Sequence, residues 1–151
     1  MAGPVDRTIT EDVPGTPEAV RAHYVDLDNI KDVHPLVVAV RTLHRSDSDD
    51  GYTHTYRVSD RIPLGFATLP ISYTATVRVP RTGPVVTEAR QFPRVRLDGV
   101  VSFEPIPTGT RLTERIRISA PWPLLGMTAR QAVAAHREML AGIRRRFEAR
   151  G

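Results

Sequence analysis

"MTARQAVAAHREMLAGIRRRF" (Met127–Phe147) is the stretch whose reading decides the fold. Steps of three and four residues pass through Ala129, Ala132 or Val133, His136, Leu140, Ile143 and Phe147, the spacing of one helical face. Met139 lies beside that stripe, while Arg130, Arg137, Arg144 and Arg145 largely point elsewhere. The pattern predicts an amphipathic helix over about 127–149, roughly 30 Å long at 1.5 Å per residue. Its apolar face carries a titratable imidazole, His136, at the centre. The arginine run at 144–146 falls in the last turns, where cations meet the negative end of the helix dipole.

Upstream, the chain supplies a surface for this helix to cover. "VDRTITEDV" (5–13) predicts a first strand. Two short helices follow within about 17–34: Thr16 can cap, Pro17 suits the first helical position and Glu18 complements the dipole. The second would begin near Asp28 and stop before Pro35, since a residue preceding proline avoids helical angles. From Leu36 the hydrophobic period changes to two, and strands 2–7 are expected within about 37–120. Asp50-Gly51 marks a hairpin turn between 37–45 and 52–60. Strands at 71–79, 85–92, 94–106 and 111–120 follow, joined by short turns that favour an antiparallel meander.

The strands sort by face. One side collects Tyr52, His54, Tyr56, Val58, Ile71, Tyr73, Ala75, Val77 and Val79, then Leu97, Gly99, Val101, Phe103, Leu112, Glu114, Ile116 and Ile118. The other carries Arg57, Arg78, Arg96, Asp98, Glu104, Arg111, Arg115 and Arg117. A sheet with one apolar and one charged face needs a cover on the apolar side. The long helix is the element available, so the sheet must wrap around it. Segment 85–92 turns Val85, Thr87, Ala89 and Gln91 inward in one of its registers, and Arg41 can be read in either register of 37–45.

Composition narrows the class. The 151 residues suffice for a single domain, 1–151, with ordinary hydrophobic (40%) and charged (25%) content. With no cysteine there is neither a disulfide framework nor thiolate chemistry. The opening residues lack the pattern of a secretory signal, and no run approaches a membrane span, so a cytoplasmic protein without stable membrane insertion is expected. The net charge of +4 comes from arginines interleaved with acids rather than from one basic patch, and no nucleic-acid partner is expected. An arginine-rich module binding nucleic acid or protein through the outer face is the third reading of the chain. Its five histidines show no metal-ligand spacing, and there is no phosphate loop or dinucleotide fingerprint; neither metal nor cofactor is expected.

The order strand, two short helices, six antiparallel strands and long C-terminal helix resembles the START-related helix-grip (SRPBCC) superfamily over about Val5–Phe147. The resemblance rests on "TPEAVRAHYVDLDNIKDVHP", on the hairpin series and on "MTARQAVAAHREMLAGIRRRFEAR". "P-x-x-V" at Pro17–Val20 fits many members, whereas "DVHPL" stands where a tryptophan-rich stretch is common. The group it is most similar to is the polyketide cyclase/dehydrase and lipid-transport group. The resemblance implies an α+β fold, a seven-stranded curved antiparallel sheet around the long helix, and a cavity for a hydrophobic or aromatic small molecule between them.

The residues support such a cavity on their own terms. Ala129, Ala132, Val133 and Ala135 in the first half of the helix, facing Ala75, Ala89 and Gly99, leave volume, and apolar ligand cavities typically span about 300–1,000 Å³. His136 and Glu114 are the candidate acid–base pair for cyclisation or dehydration of a polyketide-like substrate. Tyr52, His54, Tyr56, Tyr73, Phe103, Met139 and Leu140 are the candidate ligand contacts. The alternative for His136 and Glu114 is structural: an imidazole hydrogen-bonded to a tyrosine and a carboxylate paired with an arginine. Two apolar segments read as lids. "RIPLGFATLP" (61–70) presents Leu64 and Phe66, and "SAPWPLLGM" (119–127) presents Trp122 and Leu125. Ligand gate is the first reading of these segments and a homodimer contact the second.

Overall fold

The computed structural model describes residues 3–150, with the side chain of Leu64 outside the described residues. Strand β1 (Val5–Val13) leads into α1 (Pro17–Val25) and α2 (Leu27–Ile30). Strands β2 (Val37–Ser48), β3 (Gly51–Leu64), β4 (Ala67–Pro80), β5 (Val85–Gln91), β6 (Val95–Ile106) and β7 (Gly109–Ser119) follow, and α3 (Trp122–Arg150) ends the chain. The strands form one antiparallel sheet in the order β1-β7-β6-β5-β4-β3-β2. This is the predicted α+β arrangement: a meander whose last strand returns to the first, curved around one long helix.

Local chemistry explains the short elements. The Thr16 hydroxyl accepts from the Ala19 amide at 3.2 Å and caps α1, with Pro17 at its first position. Asp26 caps α2 by accepting from the Asp28 amide at 3.0 Å. Helix α2 ends at Ile30, earlier than the proline rule suggested, and the chain reaches His34 through turns closed by Val33 and His34 amides on the Ile30 carbonyl.

Other boundaries differ from expectation too. Helix α3 starts at Trp122, five residues before Met127, because Pro123 falls in the first turn, where helix amides have no partner to lose. The segment 61–70 is not a loop. It is the end of the β3–β4 hairpin, with Leu64 paired to Ala67 across a two-residue turn. Gly65 supplies the turn's positive φ of 65°, so the alternation of β3 runs past Asp60 to Ile62 and resumes at Leu69.

The register settles which face each strand presents. Val85, Thr87, Ala89 and Gln91 pair with Val101, Gly99, Leu97 and Val95 and share their inward face. Arg41 pairs with Arg57 and is exposed on the outer face. Tyr56, Val58, Val77, Val101, Leu112, Glu114, Ile116 and Ile118 are buried on the inner one. Helix α3 packs chiefly on β1 and β7. There Leu140, Ile143 and Phe147 close a dense core with Val13, Val20 and Leu112. Full burial of each such aliphatic side chain contributes about 1.5–3 kcal/mol.

Candidate functional site

Towards β2–β5 the first half of α3 no longer touches the sheet closely, and a cavity of about 410 Å³ opens between them. Its wall is mostly apolar. Ala75, Ala89 and Leu97 come from the sheet, and Ala132, Ala135 and Met139 from the helix. The small residues on both sides are what leaves the space. Gly99 does not contribute, because the Thr87 hydroxyl already occupies the place a Cβ would take.

One end of the cavity is polar. His136 projects from α3, and its Nδ1 lies 2.8 Å from Glu114 Oε1 on β7. The other oxygen of Glu114 accepts from the Tyr24 hydroxyl of α1. Glu114 is only 2% exposed and lies behind the wall, so it acts on the cavity through His136. Burial works against an imidazolium at His136, but the Glu114 charge and hydrogen bond, aided by Asp60, raise its pKa above the ordinary value. Burial and the Glu114 charge push the Tyr24 hydroxyl well up, so it stays a donor. With Nδ1 committed to the carboxylate, His136 offers Nε2 to the cavity, as a donor when protonated and an acceptor when neutral.

His34 stands beside it, edge-on at 5.5 Å between ring centroids. Burial, then the neighbouring His136, lowers its pKa to about 3, so the ring is neutral. Its Nδ1 accepts from the Leu36 amide at 3.2 Å, which leaves the proton on Nε2. Asp60 and Tyr73 complete the group from β3 and β4. Tyr73 and Asp60 are neighbours on paired strands, and burial, then the Asp60 charge, drives the Tyr73 hydroxyl well above the usual phenol range. Burial raises Asp60 to about 6, against the opposing effects of Tyr73 and His136.

The structure therefore brings His136, Glu114, Tyr73 and Met139 to the cavity or directly behind it. It does not bring Tyr52, His54, Tyr56, Phe103 or Leu140 to the wall. Tyr56 is buried beside the start of α2, and it stacks on His54 at 3.9 Å. His54 in turn bridges Tyr56 and Thr42, with 3.0 Å to each. Tyr52 lies under the Arg45 guanidinium at 4.0 Å. Phe103 packs edge-on against Tyr24, and Leu140 is sealed in the dense core. Alternation identifies the inward face of a strand, but not which part of that face another element covers.

The lid residues also sort differently from expectation. Leu125 is buried, and Phe66 and Trp122 stand in solvent without lining the cavity; the Leu64 side chain lies outside the described residues. The rim is formed instead by Ile62, Leu69, Phe92, Leu124 and Met127, with Leu69, Phe92 and Met127 exposed. Sequence reasoning missed Tyr24, His34 and Asp60. Continuing the alternation from Tyr52 to Val58 by one step would have found Asp60. The histidine of "DVHPL" carried no periodic signal.

On the outer face, Arg117 pairs with Asp6 at 3.0 Å, Arg111 with Asp12 at 2.9 Å and Arg96 with Asp98 at 2.9 Å. These pairs neutralise much of the basic stripe on β6 and β7. Among the described residues, no helix is long and apolar enough to cross a membrane, and no cluster of three metal-ligating side chains occurs.

No protein-family model and no curated protein matches the chain. Solved structures do. TTHA0849 from Thermus thermophilus is similar over 97% of this chain and 99% of its own length, at 16% identity and a TM-score of 0.77. The di-domain ARO/CYC StfQ from the steffimycin biosynthetic pathway matches 97% of this chain with 52% of its own, at 15% identity and a TM-score of 0.75. A START superfamily protein from Mycobacterium smegmatis matches 99% of this chain and 100% of its own, at 16% identity and a TM-score of 0.69. At these identities the likeness is one of fold, and the fold is the helix grip.

Proposed function

From the START-related helix-grip fold of this chain, we propose that it binds a hydrophobic or aromatic small molecule, polyketide- or lipid-like, in the cavity between β2–β5 and the first half of α3. One observation carries this reading: about 410 Å³ of mostly apolar space ends on a few convergent polar groups. That is the composition of a small-molecule site, in which apolar walls supply affinity and polar groups set orientation. Aromatase/cyclases and START proteins among the similar structures support it. The exposed rim of Leu69, Phe92 and Met127 supports a gate more directly than a homodimer contact, because these residues border the opening. Extraction of the purified protein followed by mass spectrometry should return an apolar compound in near-stoichiometric amount. Protein that is empty and that also refuses apolar dyes would remove the proposal.

The Glu114–His136 contact favours a second reading, cofactor-independent cyclisation or dehydration by acid–base chemistry. Glu114 fixes Nδ1–H, and His136 Nε2 passes its proton to a ligand oxygen and recovers one from the ligand or water. In Glu114→Gln, burial is left to dominate and His136 should titrate below 6.5, a shift that nuclear magnetic resonance of the imidazole can follow. Turnover of a candidate polyketide should fall at least about 100-fold in both Glu114→Gln and His136→Ala. Unchanged turnover in either variant rejects the acid–base reading and leaves the binding reading standing.

A further inference from the structure

Asp60 is the group the binding reading does not use. It is 7% exposed, it borders the cavity, and its Oδ1 has no hydrogen-bond partner. A buried carboxylate oxygen without a partner is costly and is rarely retained without one. Tyr73 stands beside it but leaves most of its accepting capacity open, since a carboxylate has about four acceptor sites. We infer that the Asp60 carboxyl is a hydroxyl-recognising subsite of the cavity, which selects an uncharged alcohol or phenol over the corresponding ether and over an ammonium ion.

The surroundings decide between these classes. An ether carries no donor, so it would cover the Asp60 carboxyl without giving it a partner. An ammonium ion would satisfy Asp60 but would have to share the polar end with His136, whose pairing with Glu114 favours the imidazolium. His34 and His136 are both positioned to donate from Nε2, which suits a ligand acceptor such as a carbonyl near the hydroxyl. The ligand thus presents a donor to β3 and an acceptor to α3.

This inference rests on the cavity being the binding site, and the test separates the two claims. A neutral apolar dye, N-phenyl-1-naphthylamine, is displaced by 2-naphthol, 2-methoxynaphthalene or 2-naphthylmethylammonium. Wild-type protein should prefer the naphthol over the ether and the ammonium ion by at least about tenfold, the value of one hydrogen bond to a charged acceptor. Asp60→Leu should bind naphthol and ether alike, and Asp60→Asn, which keeps an accepting oxygen, should retain part of the preference. A readout that needs no variant is the 13C resonance of the Asp60 carboxyl, which should move with naphthol and stay with the ether. Equal affinity for naphthol and ether in the wild type, tighter binding of the ammonium ion, or an unmoved resonance overturns the subsite and leaves the cavity intact. Failure of the dye and all three naphthalenes to bind overturns both.

Discussion

The two halves of α3 meet the same curved sheet and do opposite things. From Leu140 to Phe147 the helix presents Leu140, Ile143 and Phe147 to β1 and β7 and leaves no space. From Thr128 to Met139 it presents the small Ala132 and Ala135 towards β2–β5 and leaves a cavity. The polar residues follow the same division. On the closed half of the helix itself they lie outside, as with Arg144 paired to Glu11 at 3.0 Å, while His23 of α1 is buried against Phe147. At the edge of the open half His136, His34, Asp60 and Tyr73 face inward. One helix is thus plug and roof in succession, and the change from large to small side chains along one stripe marks the boundary.

The largest expected effect lies in the closed half. Leu140→Ala should cost about 2–5 kcal/mol, read as a lower denaturant midpoint, because the surrounding core cannot collapse around the gap. A cost below about 1 kcal/mol would mean that the two halves are equally loose.

Asp60 tests the open half and carries a pH dependence. Its carboxyl titrates at about 6 in the folded protein against 3.8 ordinarily, so folding is opposed by its ionisation. The penalty is absent below about pH 4, grows between about pH 4 and 6 and is complete above 6. Asp60→Leu should therefore gain on the order of 2–3 kcal/mol at pH 7.5, with the gain vanishing below pH 4. His136 has the opposite sense: its raised pKa contributes stability that is full below 6.5 and fades as pH rises through the folded value. Stability curves that leave Asp60→Leu and wild type parallel from pH 4 to 7.5 would show that Asp60 is not desolvated. The smallest effect belongs to Tyr52→Phe, on the covered part of β3, which should change stability and dye affinity by less than about 0.5 kcal/mol.

Much of this division could be read in the sequence. Period-two alternation identified the inward face of β3, β4, β6 and β7 and left β2 and β5 in two registers, and period 3.6 placed His136 and Leu140 on one stripe. Pairing of His136 with Glu114 followed from both being inward on elements that must face each other. The coverage of the face did not follow. Whether Tyr56 lines the cavity or lies under Leu27 depends on where α2 settles, and a four-residue helix has too few residues to signal its own position. Tyr24 and His34 were missed for the same reason, since both belong to the short elements between β1 and β2. Asp60 was lost at a boundary, where prolines and a glycine read as a loop although the hairpin continued.

The central claim, that the open half is a ligand cavity and the closed half is not, can be tested directly with the neutral dye and one variant. Ala132 lines the cavity and is only partly buried, so Ala132→Trp should fill the space without disturbing the core on β1 and β7. Wild-type protein should bind N-phenyl-1-naphthylamine saturably with one site per chain. Ala132→Trp should lose at least about tenfold in affinity while its thermal midpoint stays within a few degrees of wild type. Equal dye binding by the two proteins, or no saturable binding by either, would contradict the account.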